Sequence, residues 1–155
     1  MTDSKRKRAP AFSARSSAGR EVSLDDYRGK FLVLYFYPRS FTAGCTVETI
    51  AFAGATEELR ALGAEIVGVS SDSEETQCKF AAAHNATFPI LADTDHSIAR
   101  AYGVLLPVIE RGKRVTFVID PEGYIVARFH HELLWKKHVS DAIAFLRKGR
   151  GVQRA

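Results

Sequence analysis

The chain has 155 residues, of which 46% are hydrophobic and 26% are charged, which fits one soluble domain that buries its own core. No apolar run is long enough to cross a bilayer, and the basic start lacks the apolar stretch of a secretory signal, so we expect a cytoplasmic protein without a membrane partner. The net charge of +4 does not indicate a nucleic-acid partner, because eight basic residues lie at the two ends, in residues 1–8 and 147–155.

These basic ends set the expected domain boundaries. We predict a basic, disordered tail over residues 1–8, a single domain over 9–148 and a basic C-terminal tail over 149–155. The two cysteines, Cys45 and Cys78, are too few for a disulfide scaffold, and a reducing compartment leaves such thiols free for redox or catalytic chemistry. Each cysteine therefore needs its own explanation.

The first half of the domain is predicted to alternate strands and helices. The apolar run 31–37 predicts a strand that is buried on both faces of a sheet. Apolar side chains at helical spacing predict a helix over 45–62, and a glycine follows it where a C-cap would lie. A second buried strand is predicted at 66–69, and a helix with an acidic N-cap over 72–85.

The second half is predicted to add a hairpin and a closing helix. The pattern indicates a short strand at 88–92, a short helix at 94–102, two antiparallel strands at 114–119 and 124–129, and a helix over 133–148. This order predicts an α/β protein with a central mixed β-sheet flanked by helices. Loops at the carboxyl ends of its parallel strands are then the expected place for chemistry.

Cys45 falls at such a place, in the first turn of the helix that follows the strand 31–37. There the unpaired N–H groups and the helix dipole favour the thiolate, which is the nucleophilic form. Thr42 can cap this helix and hydrogen-bond a substrate, Pro38 forms a stiff wall, and Glu48 lies one turn further on the same face. Most free cysteines act as small hydrophobic residues, but this position favours a catalytic thiol.

The segment Tyr35–Glu48 resembles the peroxidatic motif of peroxiredoxins, Pro-x-x-x-Thr-x-x-Cys, and within that family it most resembles the bacterioferritin comigratory protein group, also called the Q type. The similarity covers most of the chain, including residues 22–30, 68–73, 88–93 and 114–120. The resemblance implies a thioredoxin-like fold with an N-terminal β extension. It also implies a monomer. Because the sequence has no Gly-rich phosphate loop, we expect no bound cofactor.

The resemblance further implies a thiol-specific peroxidase. The Cys45 thiolate would attack the O–O bond of hydrogen peroxide or an organic hydroperoxide, leaving a sulfenic acid and releasing water or an alcohol. Thr42 would orient the peroxide, and Pro38 would shield the pocket. One difference from the common motif is Ala43, where proline is frequent, and it is expected to affect rigidity more than chemistry.

The same resemblance assigns a charge partner to the thiolate. The family's essential arginine resembles Arg114, which would hold the thiolate ionised and stabilise negative charge on the departing oxygen. Glu48 resembles the glutamate that steadies an arginine through a carboxylate pair. From the residues alone, Arg114 is equally a surface charge at a strand end, and Arg39 and Arg111 are alternatives to it.

A sulfenic acid must then be resolved by a thiol. Many members of the Q group carry that cysteine five residues after the nucleophile, where this chain has Ile50. Others carry it on the next helix, where Cys78 lies about one turn before the expected position, Ala81. We expect Cys78 to form an intramolecular disulfide with Cys45 that thioredoxin or a similar dithiol reduces. The alternative is a structural Cys78 and an external resolving thiol.

Two other functions could use the same fold or the same cysteine. A thioredoxin-like dithiol oxidoreductase is disfavoured, because it needs Cys-x-x-Cys and the first position is Thr42. A non-catalytic redox sensor or chaperone of thioredoxin fold would use the same reactive cysteine and stays open. A metal site is not expected, since the five histidines lack the spacings of zinc ligands, and we place them at the surface or on helix flanks. They are His84, His96, His130, His131 and His138.

Overall fold

The computed structural model describes residues 7–38, 43–105, 113–132 and 134–154. The strands are β1 (Lys7–Arg8), β2 (Ser13–Arg15), β3 (Glu21–Ser23), β4 (Phe31–Phe36), β5 (Ala64–Ser70), β6 (Ile90–Ala92), β7 (Val115–Ile119) and β8 (Tyr124–His130). The helices are α1 (Ala43–Gly54), α2 (Thr56–Ala61), α3 (Glu74–Ala83), α4 (Ser97–Ala101) and α5 (Lys137–Arg154).

Six of these strands form one sheet in the order β1-β8-β7-β4-β5-β6. The β4, β5 and β6 strands run parallel, whereas β7 is antiparallel to β4 and to β8. The β2 and β3 strands pair separately as an antiparallel hairpin ahead of the sheet. The predicted mixed sheet with an N-terminal β extension is therefore confirmed.

Each face of the sheet carries its own hydrophobic core. On the first face, side chains of α1, α3 and α5 pack against Val33 and Tyr35 of β4. On the second face, α4 and the β2–β3 hairpin pack against Leu32 and Leu34. Successive residues of β4 point to opposite faces, so a strand covered on both sides is apolar throughout. Cys45 belongs to the first core.

The long helix predicted over 45–62 is wrong in one respect, because the structure divides it into α1 and α2 at Ala55. The Thr56 hydroxyl donates a hydrogen bond to the Phe52 carbonyl at 3.1 Å, and Ala55 N donates to the same carbonyl at 3.1 Å. A threonine that bonds back to the carbonyl four residues earlier competes with the helical ladder and bends the helix. The break follows from that competition.

Regular secondary structure extends to both sides of the predicted domain, whose boundaries stay a prediction. Lys7 and Arg8, predicted to lie in a disordered tail, form β1 and pair with Ile125 and Tyr124 of β8. The unpaired backbone groups of β8 explain this pairing. At the other end, α5 continues to Arg154. The remaining predicted elements lie within a few residues of their observed bounds, and no helix among the described residues is long and apolar enough to cross a membrane.

Candidate active site

Cys45 and Arg114 meet at the carboxyl end of β4. Cys45 is the third residue of α1 and is fully buried. Arg114 directly precedes β7, and its neighbour Val115 pairs with Phe36, the last residue of β4. This register brings Arg114 Nη1 to 3.1 Å from Cys45 Sγ, to which it donates a hydrogen bond. A guanidinium therefore lies where the charge of a Cys45 thiolate would form.

Gly44 makes this close approach feasible. A Cβ atom added at Gly44 would lie 2.7 Å from Arg114 Nη2 and 2.7 Å from Cε2 and Nε1 of Trp135. Such distances are far below van der Waals contact, so any larger residue would displace the guanidinium or the indole. The glycine beside the nucleophile is thus required by packing.

Trp135 and Glu132 hold Arg114 from the outer side. Trp135 Nε1 donates to the Glu132 carbonyl at 2.8 Å, and the indole lies 5.9 Å from Arg114 Cζ. The Glu132 carboxylate accepts from the backbone N–H of Arg114 at 3.0 Å and lies 2.6 Å from His130 Nε2. Trp135 thus covers the outer side of the site.

Glu48 lies beneath Arg114 and is fully buried. Its Oε1 is 3.7 Å from Arg114 Nη1, which is ion-pair distance but longer than a hydrogen bond. Burial raises the pKa of Glu48 to about 8, against the opposing effect of the Arg114 charge. The pairing of Glu48 with Arg114 that the resemblance implies stays a prediction.

His138 was not expected at the site, and its predicted place at the surface or on a helix flank is wrong. It is fully buried, with Nδ1 2.7 Å from Thr116 Oγ1 and Nε2 2.9 Å from the His131 carbonyl. Its Nε2 also lies 3.5 Å from Glu48 Oε2. The spacing to the buried Ala142, one helical turn later, is the signal that places His138 on the inner face of α5. Across the described residues, no three His, Cys, Asp or Glu side chains form a potential metal site.

Other predicted site residues are placed less directly. Thr42, with the alternative arginines Arg39 and Arg111, lies outside the described residues. Pro38 is half-buried and lines a small pocket with Val69 on the second face of the sheet. Its predicted shielding of the thiol stays a prediction.

The structure does not bring Cys78 to Cys45. Both cysteines are free, and Cys78 is exposed on α3, where its Sγ donates to the Ser17 carbonyl at 3.6 Å. The buried face of α3 carries Ala81, which packs in the same core as Cys45. Cys78 thus faces the loop between β2 and β3, and the position expected for a resolving cysteine is the buried one.

An open apolar groove borders the reactive pair. It has a volume of about 460 Å³ and is lined by Val47, Leu134, Trp135, Lys136 and Lys137. Leu134 is 61% exposed. Because Trp135 forms both the cover of Arg114 and a wall of the groove, apolar surface continues to the edge of the site.

Replacing Gly44 with alanine should lower the rate of Cys45 oxidation by peroxide by about 10- to 100-fold, because the new methyl group displaces Arg114 or Trp135. The matched control is Gly54→Ala on the same helix, where an added Cβ meets no atom within 4 Å. It should stabilise α1 by up to about 1 kcal/mol without changing the rate. Single-turnover kinetics and thermal unfolding of both variants provide the measurement, and equal rates would contradict the packing argument.

Comparisons with known proteins find relatives over most of the chain. The AhpC/TSA family profile matches residues 6–128. The chain is 38% identical over 146 residues to Peroxiredoxin Bcp of Bacillus subtilis (strain 168), covering 90% of this chain and 92% of that protein.

Two solved structures are similar to the whole domain. The peroxidoxin BcpB of Mycobacterium tuberculosis has a TM-score of 0.87 at 29% identity, covering 92% of this chain and 96% of that one. The bacterioferritin comigratory protein of Xanthomonas campestris, described by its alkyl peroxide reduction activity, has a TM-score of 0.82 at 30% identity, covering 89% and 91%. These similarities confirm the predicted thioredoxin-like fold.

Proposed function

This chain belongs to the AhpC/TSA family and is a peroxiredoxin of the Bcp and Q group, and from this membership we propose that Cys45 is the nucleophile with which it reduces hydroperoxides. The observation that carries the proposal is the 3.1 Å contact between Arg114 Nη1 and Cys45 Sγ at the start of α1. A buried cysteine beside a guanidinium and a helix N-terminus has the surroundings of a reactive thiol.

In the proposed reaction the Cys45 thiolate attacks one peroxide oxygen. The S–O bond forms as the O–O bond breaks, so the sulfur becomes a sulfenic acid and the other oxygen leaves with the electron pair and takes up a proton. Arg114 stabilises the negative charge on that departing oxygen. Thr42 is proposed to hydrogen-bond the bound peroxide, and Pro38 to shield the pocket.

The substrates are proposed to be hydrogen peroxide and organic hydroperoxides. The groove lined by Val47, Leu134 and Trp135 offers apolar surface to an alkyl group whose peroxide end reaches Cys45. The alkyl peroxide reduction by the Xanthomonas relative supports this choice.

Recycling is proposed to proceed through Cys78. Its thiolate would attack the sulfur of the Cys45 sulfenic acid, forming a disulfide and releasing water, and thioredoxin or a similar dithiol would reduce that disulfide by exchange. The α1 and α3 helices follow the neighbouring parallel strands β4 and β5 and cover the same face of the sheet. Their N-terminal ends therefore both lie at the carboxyl ends of these strands.

This disulfide requires a conformational change. Two cysteines bond only when their Cα atoms come within about 7 Å with their side chains facing each other. Cys45 is fully buried and Cys78 faces Ser17, so the first turn of α1 must unfold and α3 must turn or unwind. A second candidate, a one-cysteine peroxidase resolved by an external thiol, is favoured by this outward orientation of Cys78.

Peroxide treatment should yield a Cys45–Cys78 linked peptide in mass spectrometry, and Cys78→Ser should lose thioredoxin-dependent turnover by about tenfold or more while still reacting once with peroxide. The informative control combines Cys78→Ser with Ala81→Cys, which moves the thiol to the buried face of α3. Restored turnover would show that a thiol elsewhere on α3 can also resolve Cys45. No linked peptide together with unchanged turnover in Cys78→Ser would favour the one-cysteine peroxidase.

We also propose that the protein works as a cytoplasmic monomer. The two free thiols fit a reducing compartment. At one edge of the sheet β1 has two residues, and at the other Leu91 of β6 forms a bridge with Ser16. Short, partly covered edge strands disfavour association through the sheet. A non-catalytic redox sensor would instead be oxidised once without sustained peroxide consumption.

A further inference from the structure

The orientation of the His138 ring is determined by its hydrogen bonds. Nε2 lies 2.9 Å from the His131 carbonyl, which can only accept, so Nε2 carries a proton. Burial lowers the pKa of His138 to about 4, against the hydrogen bond to that carbonyl, and the ring is therefore neutral near pH 7. Its Nδ1 is then an acceptor for the Thr116 hydroxyl at 2.7 Å. The ring is held on both sides in a single orientation.

The same ring nitrogen also approaches Glu48. Nε2 of His138 lies 3.5 Å from Glu48 Oε2, while Arg114 Nη1 lies 3.7 Å from Oε1. Neither Glu48 oxygen has a hydrogen-bond partner within the described part of the chain, although the side chain is fully buried. A buried polar group without a hydrogen bond is costly, so a carboxyl group retained between an imidazole N–H and a guanidinium indicates a functional role.

From this arrangement we propose that His138 is a positioning residue of the peroxidase site, which holds Glu48 beneath Arg114 and thereby controls how fully Arg114 faces the Cys45 sulfur. This inference deepens the proposed function and rests on it. Neither the family similarity nor the sequence pattern assigned His138 a role. It acts through Glu48 and touches no reacting atom.

The ionisation state of Glu48 determines how strongly Glu48 attracts Arg114. The neutral acid does not compete for Arg114, so the guanidinium faces Cys45. The carboxylate attracts Arg114 Nη1 away from the sulfur, and the rate of Cys45 oxidation falls. Because burial raises the pKa of Glu48 to about 8, the rate should decline as the pH rises through that value. The His138 N–H stabilises the carboxylate, so its loss should move this decline to higher pH.

Other ionisable groups face this pair. Those around Glu48 are Tyr35, Cys45, Arg114 and Glu132, and those around His138 are Arg114, His131 and Asp141. Burial keeps the pKa of Tyr35 well above its usual range, so that hydroxyl stays neutral. Burial works against the downward shift in the pKa of Asp141, but hydrogen bonds from His131 and Lys137 outweigh it, so Asp141 stays ionised. Glu48→Gln identifies the titrating group, because only a decline that depends on Glu48 disappears in this variant.

The experiment measures single-turnover oxidation of Cys45 by hydrogen peroxide between about pH 5 and pH 10 in a Cys78→Ser background. Trp135 is the one tryptophan of the chain and lies beside Arg114, so its fluorescence reports the reaction. His138→Asn keeps an acceptor near Nδ1 but loses the donor, whereas His138→Gln keeps an N–H near Nε2. Thr116→Val is a further variant of nearly unchanged volume, and it removes the hydroxyl that bonds to Nδ1 of the His138 ring.

We expect His138→Asn to move the alkaline decline upward, so that its rate near about pH 8 exceeds that of the wild-type protein, with His138→Gln restoring most of the wild-type profile. If His138→Asn does not fold, Thr116→Val should show the same change more weakly. If the His138 and Thr116 variants lose thermal stability equally but keep the wild-type rate and pH profile, the inference is overturned and the proposed function stands. A wild-type protein that peroxide does not oxidise would overturn both the inference and the proposed function.

Discussion

Replacing Cys45 with serine should abolish peroxide turnover, with a loss of at least about 10⁴-fold. The serine hydroxyl is close in size to the thiol and can accept the hydrogen bond that Arg114 Nη1 donates to Sγ at 3.1 Å, so the fold should be retained. The hydroxyl does not ionise near neutral pH and is a weak nucleophile toward the O–O bond. Peroxide consumption coupled to thioredoxin oxidation measures the loss.

The control for this variant is Cys78→Ser, which removes the other thiol of the chain. It should still consume one equivalent of peroxide and form a sulfenic acid at Cys45, which a dimedone-type probe detects by mass. Sustained turnover in Cys45→Ser would reject Cys45 as the nucleophile. One oxidation without turnover in the wild-type protein, with every reductant supplied, would instead favour the redox sensor.

Local pattern was enough to predict the central framework and the position of the proposed nucleophile. The apolar run that forms β4 alternates between two cores, and Cys45 follows where the chain leaves the sheet and enters α1. Both features depend on neighbours in sequence, which is why the sequence alone indicates them. The break at Ala55 is also local, but it depends on one Thr56 hydroxyl that periodicity does not weigh.

Long-range contacts explain what the sequence left open. His138 lies near Glu48 only because α1 and α5 pack on the same face of the sheet. The outward orientation of Cys78 depends on the angle at which α3 rests, and residues one turn apart on a helix can differ in burial, as Cys78 and Ala81 do. Sequence spacing predicts which face residues share, but not which face meets the core.

Replacing Arg114 with lysine should lower the second-order rate constant for peroxide by about 10²- to 10³-fold. A lysine keeps the charge but lacks the planar fork with which Nη1 contacts Sγ while Nη2 lies against Gly44. The Glu132 carboxylate binds the backbone N–H of residue 114, so this link survives the substitution and the loop stays in place. The loss can then be attributed to the guanidinium.

The matched control is Arg128→Lys on β8, since Arg128 also lies over an aromatic ring, with its Cζ 5.9 Å from the centre of Phe117. This control should leave the rate constant within about twofold, because an exchange of surface charges of the same sign changes little away from special contacts. Trp135 fluorescence follows both reactions. Because the lysine ammonium is a point charge, a full rate in Arg114→Lys would mean that net charge alone activates Cys45 and that the directed Nη1 contact is dispensable.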